Sequence, residues 1–244
     1  MSAERGASAD GAPKSDHSTL EHDLLVDDPA FGELVLVRHA QQGLNDLGDP
    51  SRPKAGDAPL SERGLAQAEA TADVLAIEPV HHVYASDLRR ARMTAAAIAA
   101  RHGLEPIIDP RLREVDVFRG IPKGSTVAET LGPDALATIR EEFARTRSWA
   151  AFPLTETIEE LDERLGSAIA DINARHPESD RIVIVSHGGA LNIVVRRVLG
   201  TEAHMTFFPN HASITRIGRG RGQLVMRTMN ESAHLLVPGA GRTF

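Results

Sequence analysis

A chain of 244 residues with 41% hydrophobic and 25% charged side chains has the make-up of a globular protein and suffices for one large domain. The absence of cysteine excludes disulfides and thiolate chemistry and fits a reducing compartment. Most of the net charge of −7 belongs to residues 1–30, with two basic against seven acidic side chains, and so neutral a remainder argues against a nucleic-acid surface.

Residues 1–30, rich in Ala, Gly, Ser and Asp, are expected to form a disordered acidic tail ahead of a domain over 31–244. They contain no apolar core of a signal peptide, and no run approaches the roughly 20 apolar residues that span a bilayer, so a cytoplasmic location is expected. Leu34-Val35-Leu36-Val37 then reads as a strand buried on both faces, stopping abruptly at Arg38-His39. Ser61 is placed to cap a helix whose buried stripe is Leu65, Ala68, Ala72, Leu75 and Ala76. Residues 81–85 form a second strand, ending at Ser86-Asp87. A second helix follows with Leu88, Ala91, Ala95, Ile98 and Ala99 on one face and Gly103 as its stop. Ile107-Ile108 is a brief third strand leading to Leu112-Arg113-Glu114.

The segment 121–156 has less pattern, with one helix expected over 135–147. Thr157 and Glu160 form a capping box for a long helix with Ile158, Leu161, Leu165, Ile169 and Ile172 on its apolar face. Residues 181–186 are the clearest buried strand. They run into His187-Gly188-Gly189 and a helix carrying Leu191, Val194, Val195, Val198 and Leu199, stopped by Gly200. A hairpin closes the chain, turning on Gly-Arg-Gly-Arg-Gly at 218–222. Strands alternating with helices give an α/β fold, a three-layer sandwich with a mostly parallel sheet and helices on both faces.

Two buried strands thus end in a histidine, His39 with Arg38 beside it and His187 with Gly188-Gly189 behind it. In an open parallel sheet such ends share one edge, where ligands bind. Helix-opening amides at Gly188-Gly189 would favour an anion there. Arg89 and Arg90 open another helix, where a cation opposes the macrodipole; this makes sense if one of them holds an anion and the other is solvated. Other chemistries lack their residues. No Gly-x-Ser-x-Gly supplies a serine elbow, and Gly120-Ile121-Pro122-Lys123-Gly124-Ser125 has the wrong spacing for a P-loop. Neighbouring His81 and His82 cannot face one side of a strand, and with no His-Glu-x-x-His present no metal is expected.

On these residues the chain resembles the histidine phosphatase superfamily, which includes phosphoglycerate mutase-like proteins. Arg38-His39-Ala40 is similar to the family's first histidine motif, with Asn45 at its downstream asparagine. Pro59-Leu60-Ser61 with Gly64, Gln67 and Ala68 matches the following motif. Residues 86–91 with Thr94-Ala95 match the second arginine motif, Leu112-Arg113-Glu114 the segment of the general acid, and Ser186-His187-Gly188-Gly189 the second histidine motif. The resemblance implies a phosphoglycerate mutase-like fold and catalytic His39, Glu114 and His187. It also implies a phosphate site of Arg38, Asn45, Arg90 and Gly188, no cofactor, and a small phosphorylated substrate. Gln41, Gln42 and Arg119 depart from the family pattern and are expected to line the pocket.

A phosphatase acting through phosphohistidine is the expected function. A phosphoglycerate mutase-like phosphotransferase is the alternative, disfavoured by a short 114–157 segment without an adjacent Arg-Arg pair. The third reading is a non-catalytic phospholigand-binding protein. Neither nucleic acid nor membrane is an expected partner, and self-association into a homo-oligomer stays open.

Overall fold

In the computed structural model the described residues are 31–43, 57–122 and 124–244; the acidic segment 1–30 and Asn45 lie outside them. Six strands form one sheet: β1 (Gly32–Arg38), β2 (His82–Ala85), β3 (Ile107–Ile108), β4 (Arg181–Ser186), β5 (Ile214–Gly220) and β6 (Gln223–Glu231). Their order is β3-β2-β4-β1-β5-β6. The first four are parallel, while β5 runs antiparallel to β1 and β6 to β5.

The two-residue period of a strand explains the layers. Val35 and Val37 point into a cluster with Ala72, Leu75, Ala91, Ala95 and Ile98 from α1 (Glu62–Leu75) and α2 (Arg89–Ala100). Leu34 and Leu36 point the other way, toward Ala168, Ile172, Leu191 and Val195, which come from two later helices. Those are α5 (Ile158–Arg175) and α6 (Gly188–Leu199); α3 (Val127–Leu131) and α4 (Ala135–Thr146) precede them. Helices therefore cover both faces of a mostly parallel sheet. No helix among the described residues is long and apolar enough to cross a membrane.

Local signals hold where a cap or turn fixes them. Ser61 accepts the Gly64 N–H, the Thr157–Glu160 capping box is made in both directions, and Gly200 takes the left-handed conformation after α6. In α1 the expected Ala68, Ala72 and Leu75 are buried, while Leu65 and Ala76 are exposed. Gly64, Gln67 and Thr71 complete the buried face, the last two through polar contacts. The closing turn is narrower than expected. Gly218 and Gly220 pair within the hairpin, and only Arg221 and Gly222 turn, at φ 52° and 71°. Two successive positive φ values make the type I′ geometry that matches strand twist.

Candidate active site

β1 and β4 are adjacent and in register, Arg38 opposite Ser186, so their carboxyl ends stop at one level. The His39 N–H donates to Ser186 O at 2.9 Å, extending the ladder by one residue. The imidazoles of His39 and His187 are consequently neighbours, ring centroids 5.0 Å apart and edge to face. β2 lies on the far side of β4, and the Ser86 N–H donates to Val185 O at 3.0 Å. Three residues on, α2 starts and turns Arg90 inward while Arg89 is exposed, the split expected of this pair. The Asp57 carboxylate accepts the Arg89 N–H at 2.6 Å and so offsets two cations at a helix start.

Hydrogen bonding assigns the His39 tautomer. His39 Nδ1 lies 2.8 Å from Ala40 O, which only accepts, so Nδ1 carries the proton. His39 Nε2 then presents its lone pair, which receives the Arg90 Nε–H at 3.1 Å. His187 Nε2 lies 2.9 Å from Ser86 Oγ, which itself receives the Leu88 N–H at 3.4 Å. His187 Nδ1 is a buried atom with no partner among the described residues. Burial is the largest cause holding both imidazoles well below the ordinary histidine pKa. For His39 the further causes are His187, Arg90 and Arg38, and for His187 they begin with Arg90 and Arg38. Both rings are neutral at physiological pH.

Arg38 is half-buried and has five N–H donors. Its Nη1 donates to Pro209 O at 2.5 Å and its Nη2 to His211 Nε2 at 3.0 Å. Its Nε–H is buried without a partner among the described residues. Nε–H and the remaining Nη2 hydrogen form a fork for two oxygens of an anion.

Glu114 does not pair with Arg113, which binds Asp87 at 2.6 Å. Its carboxylate accepts from Val115 N at 3.0 Å, Gly189 N at 3.1 Å and Ala190 N at 2.9 Å. This corrects one expectation: two of the helix-opening amides are taken by a protein carboxylate rather than offered to a ligand. Gly189 is the close-approach glycine, since a Cβ there would sit 2.6 Å from Glu114 Oε1, while one on Gly188 would find Arg38 Nε at an ordinary 3.5 Å. The segment bearing Glu114 is clamped by Arg164, which donates to Arg111 O at 2.6 Å and Arg113 O at 3.1 Å and is held by Glu156 at 2.7 Å.

The fold thus brings Arg38, His39, Arg90, Glu114, His187 and Gly188 to one sheet edge; Asn45 falls outside the described residues. Ser86, inside a matched motif but read without a role there, bonds His187, and His211, which had no sequence signal, has its ring centroid 5.5 Å from that of His39. Gln41 serves the scaffold, its carbonyl accepting the Ser61 N–H at 2.9 Å and its N–H donating to Gln67 Oε1 at 2.9 Å. Gln42 bridges to Leu60, and Arg119 pairs with Glu160. A separate His82, His176 and Asp180 cluster places potential ligand atoms within 4.8 Å of one another. The two rings there are stacked, centroids 3.7 Å apart and planes at 27°, which would leave a shared ion outside both ring planes.

Residues 34–232 match the model of the histidine phosphatase superfamily (branch 1). The chain belongs to this superfamily. Among curated relatives, the probable phosphoglycerate mutase GpmB of Enterobacter sp. (strain 638) is 34% identical over 176 residues, 70% of this chain and 77% of that one. Among solved structures, a mycobacterial glucosyl-3-phosphoglycerate phosphatase superposes with a TM-score of 0.68 at 29% identity, over 83% of this chain and 100% of that one. Bacillus stearothermophilus YhfR gives 0.69 at 25% identity, over 83% and 98%. The superfamily's mixed six-stranded α/β architecture is the one described above, and the named relatives include both mutases and phosphatases.

Proposed function

We propose that the protein is a cytoplasmic phosphatase that hydrolyses a small phosphomonoester through a phosphohistidine on His39, without metal or cofactor. The observation carrying this reading is the state of His39: its Nδ1–H is spent on Ala40 O, and its Nε2 lone pair faces the Arg90 guanidinium. An incoming phosphoryl dianion draws the Arg90 N–H onto its own oxygens and uncovers Nε2. The Arg38 fork and His187 Nδ1 supply further donors. The Nε2 lone pair attacks phosphorus, the P–O ester bond breaks, and Glu114 gives its proton to the leaving alkoxide. Water then attacks the phosphohistidine, its proton passes to the Glu114 carboxylate, and the P–N bond breaks, returning the lone pair to Nε2.

A phosphotransferase reading is favoured by the mutase name of the curated relatives. Against it, two arginines that could hold a substrate carboxylate are engaged by acidic partners, Arg119 by Glu160 and Arg145 by Glu142. Assays of p-nitrophenyl phosphate with and without EDTA, and of 2- and 3-phosphoglycerate, separate hydrolysis, phosphotransfer and mere binding. The His39→Ala variant is expected to lose turnover and acid-labile phosphate labelling together. Labelling that survives the substitution rules out His39 as nucleophile.

A further inference from the structure

We propose that His211 and Thr243 form a positioning relay that holds the Arg38 guanidinium in its phosphate-binding orientation; this rests on the phosphatase reading above. Arginine has donors only, so the 3.0 Å contact between Arg38 Nη2 and His211 Nε2 requires a lone pair on Nε2. The proton of His211 is therefore on Nδ1, 3.1 Å from Thr243 Oγ1, which accepts it. Thr243 is itself fixed from two further directions. Its carbonyl accepts the His211 N–H at 2.8 Å, and its hydroxyl oxygen accepts from Gln67 Nε2 at 2.9 Å.

Gln67 closes the circuit. It is fully buried in α1, donates a second time to Gly241 O at 2.8 Å, and accepts the Gln41 N–H at 2.9 Å. The loop from Arg38 to Gln41 is thus held at both ends through residues 241–243, at its start by the guanidinium on His211 and at its end by the backbone on Gln67. The turn aiming His211 is also built with care. Ala212 sits at φ 59°, sterically costly for a residue with a Cβ, and its N–H donates to Arg38 O at 3.0 Å. His211 is 8% exposed and occupies a place where the guanidinium needs an acceptor that adds no charge. A carboxylate there would neutralise the charge meant for the phosphoryl group, and an apolar side chain would release Nη2. With Nη1 on Pro209 O and Nη2 on His211, rotation of the guanidinium is blocked and the buried Nε–H stays turned to the ligand side.

The test compares Thr243→Val, which keeps the shape and removes the hydroxyl oxygen, with Thr243→Ser, which keeps the oxygen, both in the full chain. Calorimetry with inorganic phosphate reads binding without turnover. Kinetics with p-nitrophenyl phosphate give KM and kcat, and nitrogen-15 NMR reports the His211 tautomer. Thr243→Val is expected to weaken phosphate binding and raise KM together, by roughly three- to tenfold, the worth of one hydrogen bond. Loss of the His211 Nδ1–H signature should accompany this, and kcat should change less. Thr243→Ser is expected to restore all three. Phosphate binding and KM unchanged in Thr243→Val would sink the relay while leaving the phosphatase reading intact. A wild-type chain that neither binds phosphate nor hydrolyses the ester would remove both.

Discussion

One methyl group, added at Gly189, tests the seating of the acid. A Cβ there would lie 2.6 Å from Glu114 Oε1, 2.7 Å from Trp149 Cζ2 and 2.9 Å from Val115 Cγ2, distances that real Cβ atoms do not tolerate. Trp149 and Val115 belong to a packed cluster with Leu161, Leu165, Ala190 and Ile193, so the carboxylate is the group free to yield. Overpacking of this kind costs about 1–3 kcal/mol. Loosening of the Gly189 and Ala190 amide bonds to the Glu114 carboxyl is offset in part by the helix propensity of Ala, which returns at most about 1 kcal/mol. Gly189→Ala should therefore lose about 1–3 kcal/mol in urea denaturation. Gly188→Ala, with its nearest contacts at 3.5 and 3.6 Å, should match or exceed wild-type stability. A displaced acid also slows turnover, by up to about 10²–10⁴-fold where the leaving group needs a proton. Two substrates separate the effects: p-nitrophenolate leaves unprotonated and an alkoxide does not, so the loss should be far larger on an alkyl phosphate. Equal losses on both substrates, or wild-type stability in Gly189→Ala, would refute the placement of Glu114 as the acid held by α6.

Two further outcomes are expected. Ser86→Ala removes the hydroxyl bonded to His187 Nε2, and kcat/KM should fall about tenfold, near the upper range for one buried hydrogen bond; an unchanged pH–rate profile and rate would show that His187 is oriented otherwise. Stability should decline in acid because burial, then Arg38, lowers the His211 pKa from the ordinary 6.5 to about 3. The unfolded chain takes up that proton below pH about 6.5 while the folded chain does not, so this contribution is present above that pH and is lost as pH falls toward about 3. Replacing His211 by Asn should make unfolding free energy shallower in pH by roughly 1 kcal/mol per unit averaged over pH 5–6.5, measured by denaturant titration; identical slopes would contradict a buried neutral ring.

What the sequence made legible is what local pattern encodes. A β-branched run broken by Arg38-His39, and another by Ser186-His187, locates strand ends, and parallel-sheet topology brings them together. The reading of segment 121–156 as holding one helix missed α3, a five-residue helix opened by the Thr126–Glu129 capping box. Other features depend on contacts far apart in the chain. The α1 stripe was right at Ala68, Ala72 and Leu75 but missed Gln67 and Thr71, which are buried for hydrogen bonds to residues 212, 241 and 243 that hydrophobic periodicity does not register. Nothing around His211 marks it as an acceptor for Arg38, since that role is made by the close approach of strand-end loops 173 residues apart. The pairing of Glu114 with Gly189 and Ala190 was hidden for the same reason. A Gly-Gly at a helix start announces space for a close neighbour without saying which neighbour fills it.

The two arginines rest on histidine lone pairs in the same way, yet the consequences are opposite. On the proposed mechanism the contact of His39 with Arg90 has to break before chemistry, because Nδ1–H is bonded to Ala40 O and Nε2 is left to attack phosphorus. At His211 the contact with Arg38 has to persist, because it orients the fork. The difference follows from what lies on the other side of each ring. His39 is anchored only to the carbonyl of its own neighbour, Ala40, so its Nε2 stays in place when Arg90 moves. His211 is anchored through Thr243 to a buried glutamine on α1, so ring and guanidinium hold each other. A phosphoryl dianion competes well for Arg90, which exchanges a neutral acceptor for a charged one about twice as strong. Water offers Arg90 no such exchange. On the proposed mechanism the nucleophile therefore stays covered until a doubly charged ligand arrives.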